Sequence, residues 1–337
     1  MKGWIVKKPL TIEREDISRG ENNEENLTKV KITKCLLTIS DVLTYNGTNE
    51  QTDFALGSYG TGIVSESSDS TLTPGTHVYV RPYIPCNECN NCQNGAYGSC
   101  SDMKVAGVDY DGFLRDFTNV NPGDVFQLPE SVSDLKALFI DYISLAVSIV
   151  DKLHVEKGDY VSVVGANYFG IILSQILIYY QAVPILCTQH EDSFKMAKDS
   201  GIYYVLGDED NWQKEVLSIT GGRMTSHVVY MANSDIPIVK AFSLASYGAK
   251  VIYTGESNKN TSFSFHQAVK KQLEIVCVNN GYDNTEAAIN LLANDAVDIS
   301  RLKINCVSDN DVKTVLDDMN KTLLEKDFVH ETVVETI

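Results

Sequence analysis

The sequence predicts an α/β chain built from an antiparallel β domain followed by a doubly wound parallel-sheet domain. Three observations carry this. Residues 1–130 run in short alternating segments broken by Gly and Pro. After Gly158, short apolar runs alternate with helical stretches. The length of 337 residues suits two domains, at roughly 100–200 residues each.

The elements follow in order. Gly60–Val64 and Thr76–Val80 show the period-2 pattern of half-buried strands. Ser133–Leu153 reads as a helix, opened by Ser-Val-Ser-Asp and closed near Gly158. Tyr160–Val164 is a strand, Phe169–Tyr180 an apolar helix, and Val183–Cys187 the next strand. Helices at Ser193–Ser200, Asn211–Ile219 and Ile236–Ala245 then alternate with strands at Tyr203–Leu206, His227–Met231 and Lys250–Thr254. That order implies right-handed βαβ units and a parallel sheet. Thr285–Ala293 and Asp309–Asn320 read as helices, and Val329–Thr336 as a strand. The expected divisions are 1–147, 148–284 and a C-terminal segment 285–337 that returns to the first domain.

Asp and Glu number 45 against 28 Lys and Arg, a net charge of −17. Such a surface offers no basic face to nucleic acid and is repelled by an acidic membrane. The most apolar stretch, Phe169–Cys187, holds Ser174, Gln175, Gln181 and Pro184, poor choices for a lone span. No segment resembles a secretory signal, so a cytoplasmic protein is expected.

Eight cysteines divide into a cluster of four and four scattered ones. Cys86, Cys89 and Cys92 are spaced by two residues, and Cys100 follows after seven. Four thiolates in a tetrahedron suit a structural zinc, with no position left for water or substrate. Disulfides, free thiols or an iron–sulfur cluster are the alternatives. Cys35, Cys187, Cys277 and Cys306 sit in apolar runs and read as inert core.

Gly165-Ala-Asn-Tyr-Phe-Gly170 joins a strand to an apolar helix. This is the setting of a dinucleotide-binding loop, whose helix N-terminus faces phosphate. The middle glycine is replaced by Asn167, which tolerates positive φ but brings a side chain. The candidate cofactor contacts here are Gly165, Ala166, Asn167, Tyr168, Phe169 and Gly170. The second strand ends Cys187-Thr188-Gln189-His190, with no acid for a ribose 2′-hydroxyl. Thr188, Gln189, His190 and Lys195 could instead receive a 2′-phosphate, which favours NADPH over NADH. Met231 and Thr254 end sheet strands and are further candidate contacts.

Together these features resemble the zinc-containing alcohol and polyol dehydrogenase branch of the medium-chain dehydrogenase/reductase superfamily. Lys29–Asp41, Ala55–Val64, the cysteine lobe, Gly107–Gly112 and Leu138–Val150 carry the resemblance. It implies a GroES-like antiparallel β domain, a Rossmann domain, one structural Zn2+ per chain and a homodimer or homotetramer, with an edge near Ile275–Asn279 as a pairing strand. Matched to the family's catalytic-zinc ligands, the Cys position is Thr38, the His position Ser58 and the Glu position Tyr59. An acidic ligand of the polyol enzymes falls at Asp141. The family's relay hydroxyl is Ser40, and the His beyond it is Leu43. Neutral hydroxyls are poor zinc ligands, so no catalytic zinc is expected.

Without that ion an activated C=C bond is the more tolerant hydride acceptor, since its developing oxyanion needs only hydrogen-bond donors. Tyr59 is the expected proton donor. Ser58, Thr38 and Ser40 would orient the substrate, and Asp141 would hold a cationic group. The substrate is a small molecule or a peptide, with the lanthipeptide dehydroalanine reductases as a family analogy. Two alternatives stand: a zinc-independent carbonyl or alcohol oxidoreductase, and an inactive dehydrogenase-like binding or assembly protein.

Overall fold

A computed structural model describes residues 1–17, 26–49, 53–165, 167–232, 234, 236–255 and 265–336. The chain divides into two compact units. One is Met1–Asp141 with Lys303–Ile337, the other Tyr142–Leu302.

In the first unit β1 (Lys2–Lys8) and β2 (Thr11–Asp16) form a hairpin. The main sheet contains β3 (Thr28–Leu37), β4 (Tyr59–Ser67), β5 (His77–Val80), β8 (Phe117–Val120), β9 (Val125–Gln127), β16 (Asn305–Ser308) and β17 (Thr332–Glu335). Its order is β16-β17-β3-β4-β5-β9, with β8 also on β3. β3 shows why it forms: Thr28, Val30 and Ile32 are fully buried while Lys29 and Lys31 are more exposed, the alternation a pleated strand imposes, until a register shift between Ile32 and Lys34 interrupts it. Its end, Cys35 to Leu37, is buried on both faces, pinning the start of the next helix. A short ribbon, β6 (Tyr83–Ile84) with β7 (Lys104–Val105), brackets the cysteine lobe.

The second unit is a parallel sheet of β10 (Tyr160–Val164), β11 (Val183–Cys187), β12 (Tyr204–Leu206), β13 (Thr225–Met231), β14 (Ala245–Thr254) and β15 (Glu274–Val278). Its order is β12-β11-β10-β13-β14-β15, and every adjacent pair is parallel. The chain winds one way from β10 and then the other, so the switch point lies between β10 and β13. The helix Tyr168–Tyr179 follows β10. It is buried from Tyr168 to Leu177, which explains its lack of a polar stripe.

Several boundaries depart from the sequence expectation. Ser133–Leu153 is two helices, Asp134–Ala137 and Ile140–Leu153. The units meet at 141/142 and 302/303, where 147/148 and 284/285 were expected. Residues 285–302 stay with the parallel sheet because Gln175 clamps Asp298. Its Nε2 donates to the Asp298 carbonyl at 3.0 Å, and the Asp298 N–H donates back to Oε1 at 2.7 Å. Cys35 and Cys187 are buried, but Cys277 and Cys306 are exposed. Their runs are apolar, yet β15 and β16 are terminal strands of their sheets, so one flank of each lacks a neighbouring strand among the described residues.

Candidate active site and metal lobe

Within the first unit, Thr38 is the N-cap of the helix Ile39–Tyr45 and Asp41 its third residue. Asp41 Oδ2 accepts the Thr38 N–H at 2.8 Å and the Thr38 hydroxyl at 3.2 Å, while Oδ1 accepts the Gly57 N–H at 2.8 Å. Burial still raises the Asp41 pKa above the usual carboxylate value, against the pull of these donors. Gly57 has φ +94°, and a Cβ there would lie 2.4 Å from Cys35 Sγ. This close approach delivers the chain to Ser58 and Tyr59, both half-buried. Ser40 is also half-buried, and its carbonyl takes the Thr44 hydroxyl at 3.2 Å.

Tyr59 opens β4 and its phenol hydrogen-bonds Asp141. Asp141 is 4% exposed, and its Oδ2 accepts the Tyr83 hydroxyl at 2.9 Å. One buried carboxyl therefore holds two phenols. Burial lifts Asp141 to about 6, opposed by the Tyr83 and Tyr59 hydrogen bonds and by the Arg81 charge. Burial also drives the Tyr59 phenol well above its ordinary value. The Asp141 charge adds to this, followed by Tyr79 and Glu331. Arg81 is itself paired with Asp124 at 3.2 Å. Sequence reasoning singled out Tyr59 and Asp141 as candidates but not Tyr83, for which spacing gives no signal. It also missed Asp41, although Thr38-Ile-Ser-Asp41 has the form of a capping box.

In the cysteine lobe the four Sγ atoms of Cys86, Cys89, Cys92 and Cys100 all lie within 4.8 Å of one another. Among the described residues this is the one group of three or more thiols, imidazoles or carboxylates close enough to share an ion. Backbone N–H groups point at sulfur. Cys86 N–H lies 3.3 Å and Asp102 N–H 3.4 Å from Cys100 Sγ, and Cys89 N–H lies 3.4 Å from Cys86 Sγ. The N–H groups of Ser101 and Cys92 lower Cys89 to about 5, while burial pushes Cys92 up to about 12. Four sulfur atoms gathered this closely suit a shared cation, so the lobe can bind a metal.

In the second unit Gly165 turns the chain at φ +89°, and its N–H donates to the Cys187 carbonyl at 3.1 Å. Asn167 lies at φ −121°, not in the positive region that its type tolerates. Instead it caps the helix, its Oδ1 accepting the Gly170 N–H at 3.3 Å. Tyr168, Phe169 and Gly170 are buried. Ala166 lies outside the described residues. Thr188 is 1% exposed, and its hydroxyl accepts the His190 N–H at 3.2 Å. Gln189 donates to Asp208 at 3.2 Å, and Lys195 pairs with Glu191 at 2.6 Å. Met231 and Thr254 are buried at strand ends. The Thr254 and Ser234 hydroxyls are buried without a hydrogen-bond partner among the described residues. Two orphan hydroxyls at the carboxyl ends of parallel strands fit a polar ligand such as a dinucleotide.

Residues 24–130 match the alcohol dehydrogenase GroES-like domain. An uncharacterized zinc-type alcohol dehydrogenase-like protein of Haemophilus influenzae is 22% identical over 326 residues, 95% of each chain. The chain thus resembles the zinc-type alcohol dehydrogenases of the medium-chain dehydrogenase/reductase superfamily. D-xylulose reductase A of Aspergillus oryzae is 24% identical over 268 residues, 77% of this chain and 75% of that protein. The fold agrees with the Escherichia coli alcohol dehydrogenase rspB complexed with NADH, at a TM-score of 0.86, 20% identity and 99% coverage of both chains. The alcohol dehydrogenase fold thus has the same kinds of parts as this chain, an antiparallel unit and a parallel sheet. Among the described residues, no helix is long and apolar enough to cross a membrane.

Proposed function

We propose that the chain is an NAD(P)H-dependent oxidoreductase that reduces an activated C=C bond without a catalytic zinc. Its relatives are dehydrogenases and reductases, which supports a nicotinamide dinucleotide as the cofactor. The finer reading rests on one observation: the Asp141 carboxyl is shared by the phenols of Tyr83 and Tyr59. At the matched ligand positions, Thr38 commits its hydroxyl to Asp41, and Ser58 and Tyr59 offer neutral oxygens. Zinc favours thiolate, imidazole or free carboxylate.

The reduced dinucleotide, when bound, supplies a hydride. Gly165 and the strand-end hydroxyls of Ser234 and Thr254 would hold it. The acid-free tip at Thr188, Gln189 and His190 favours NADPH. Tyr59 gives the proton to the α-carbon. Asp141 and Glu331 both act on Tyr59 as negative neighbours, so a cationic small molecule or peptide suits the site, such as a peptide bearing a dehydroamino acid. The cysteine lobe would hold one structural zinc per chain. The edge strand β15 offers a seam for a homodimer or homotetramer. A cytoplasmic location, with neither nucleic acid nor membrane as partner, accords with the acidic composition.

A second reading is a zinc-independent carbonyl or alcohol oxidoreductase. A phenol beside a carboxyl can also polarise a carbonyl oxygen, and the Aspergillus oryzae relative is a D-xylulose reductase. A panel of enones, dehydroamino-acid peptides and aldehydes, run with NADPH and NADH, decides between them. Turnover of aldehydes alone removes the C=C reading. Replacing Tyr59 by Phe should slow reduction with little change in cofactor affinity; an unchanged rate dismisses Tyr59 as donor.

A further inference from the structure

We infer that Tyr83 is a positioning residue that fixes the Asp141 carboxyl against Tyr59, an inference that rests on the reading of Tyr59 as proton donor. The terminal torsion of an Asp side chain is broad. A buried carboxyl therefore keeps one orientation only when its oxygens are held. Asp141 is 4% exposed and Tyr83 8% exposed, and the Tyr83 hydroxyl donates to Oδ2 at 2.9 Å. The same carboxyl carries the Tyr59 hydrogen bond. Groups from the surrounding elements act on this pair: Tyr79 of β5, Arg81 beyond it, and Glu331 before β17. Arg81 already serves Asp124. Tyr83 thus anchors Oδ2 through a direct, sheltered hydrogen bond.

The chemistry divides accordingly. A bound NAD(P)H would supply the hydride for the β-carbon, which would leave the π pair of the C=C bond on the α-carbon. That pair takes the proton of Tyr59, whose O–H bond breaks and whose oxygen keeps the electrons as phenolate. The phenolate regains a proton from the solvent through the Asp141 carboxyl, so each turnover consumes one proton from the medium. Tyr83 gives and takes no proton; it keeps the carboxyl in line for the return.

The test compares Tyr83→Phe, Tyr59→Phe and Asp141→Asn in the full chain, with NADPH and an enone. In Tyr83→Phe, kcat should fall about tenfold with KM and NADPH affinity nearly unchanged, and the Asp141 limb of the pH profile should move to higher pH because the carboxylate has lost a donor. A readout independent of turnover is carbon NMR of aspartate-labelled protein, with the Asp141 signal assigned by its loss in Asp141→Asn. Its titration should rise by about one unit in Tyr83→Phe. It should fall when 3-fluorotyrosine, a stronger donor of nearly the same shape, stands at position 83. An unmoved titration overturns the inference, as does a loss in kcat with the pH limb unchanged. If Tyr59→Phe keeps its rate, the donor assignment falls instead. If Tyr59→Phe is slow while Tyr83→Phe matches wild type, only the positioning role falls.

Discussion

The Thr38 hydroxyl donates to Asp41 Oδ2 at 3.2 Å, and the Thr38 backbone N–H reaches the same oxygen at 2.8 Å. With the Gly57 N–H on Oδ1, one buried carboxylate gathers three donors from two segments. Asp41→Ala leaves those donors without a partner. Stability should fall by about 2–4 kcal/mol, since each orphaned donor costs roughly 1–3 kcal/mol and some regain water. Chemical denaturation measures it; a change below about 0.5 kcal/mol would show that Asp41 does not organise this corner.

Asp141 makes stability depend on pH with a definite sign. Its folded value near 6 lies above the unfolded value of about 3.9. The folded state therefore binds more protons in that window, and stability falls as pH rises from about 4 to about 6. Above that window the contribution is flat. Asp141→Asn removes the titration, so the variant should gain on wild type across this window and then run parallel to it. Melting temperatures taken at closely spaced pH values check this; parallel curves throughout would refute it.

Asn167 uses its side chain on the Gly170 N–H, one of the first-turn donors that a phosphate could engage. Asn167→Gly frees that donor, and glycine at an N-cap costs only a few tenths of a kcal/mol. Dinucleotide affinity should rise by about threefold to tenfold, from roughly one recovered hydrogen bond. Nicotinamide fluorescence titration measures it. Weaker binding would mean that the Asn167 amide itself contacts the ligand.

The cysteine lobe should yield about one zinc per chain by elemental analysis, the content expected of one four-thiolate site. Cys89→Ser and Cys100→Ser should each lose the ion and lower the melting temperature. A second zinc at full occupancy, surviving in these variants, would place a metal in the pocket and end the zinc-free reading.

Legibility in the sequence followed the range of the forces involved. β10 and β11 begin and end where their apolar runs predict, because burial on both faces leaves no other pattern. The clustering of the four cysteines was legible because they lie close together in sequence. Tyr83 was not, since its partner Asp141 lies 58 residues away and nothing local marks the pairing. The exposure of Cys277 and Cys306 was hidden for a related reason. An apolar run at a sheet edge reads like one at its centre, and strand order is a property of the whole topology. Asn167 was read as a weakened glycine, whereas its side chain serves the helix start.

From Cys86 to Cys100, only Cys92 is buried. This appendage has almost no oil-like interior. Ordinary cores draw their strength from water and loosen on cooling. A thiolate cage instead answers to mass action, so its order tracks the free concentration of its ion and the acidity around it. The lobe should therefore unlatch under chelation while the sheets beside it stay folded, giving the chain two independent melting variables.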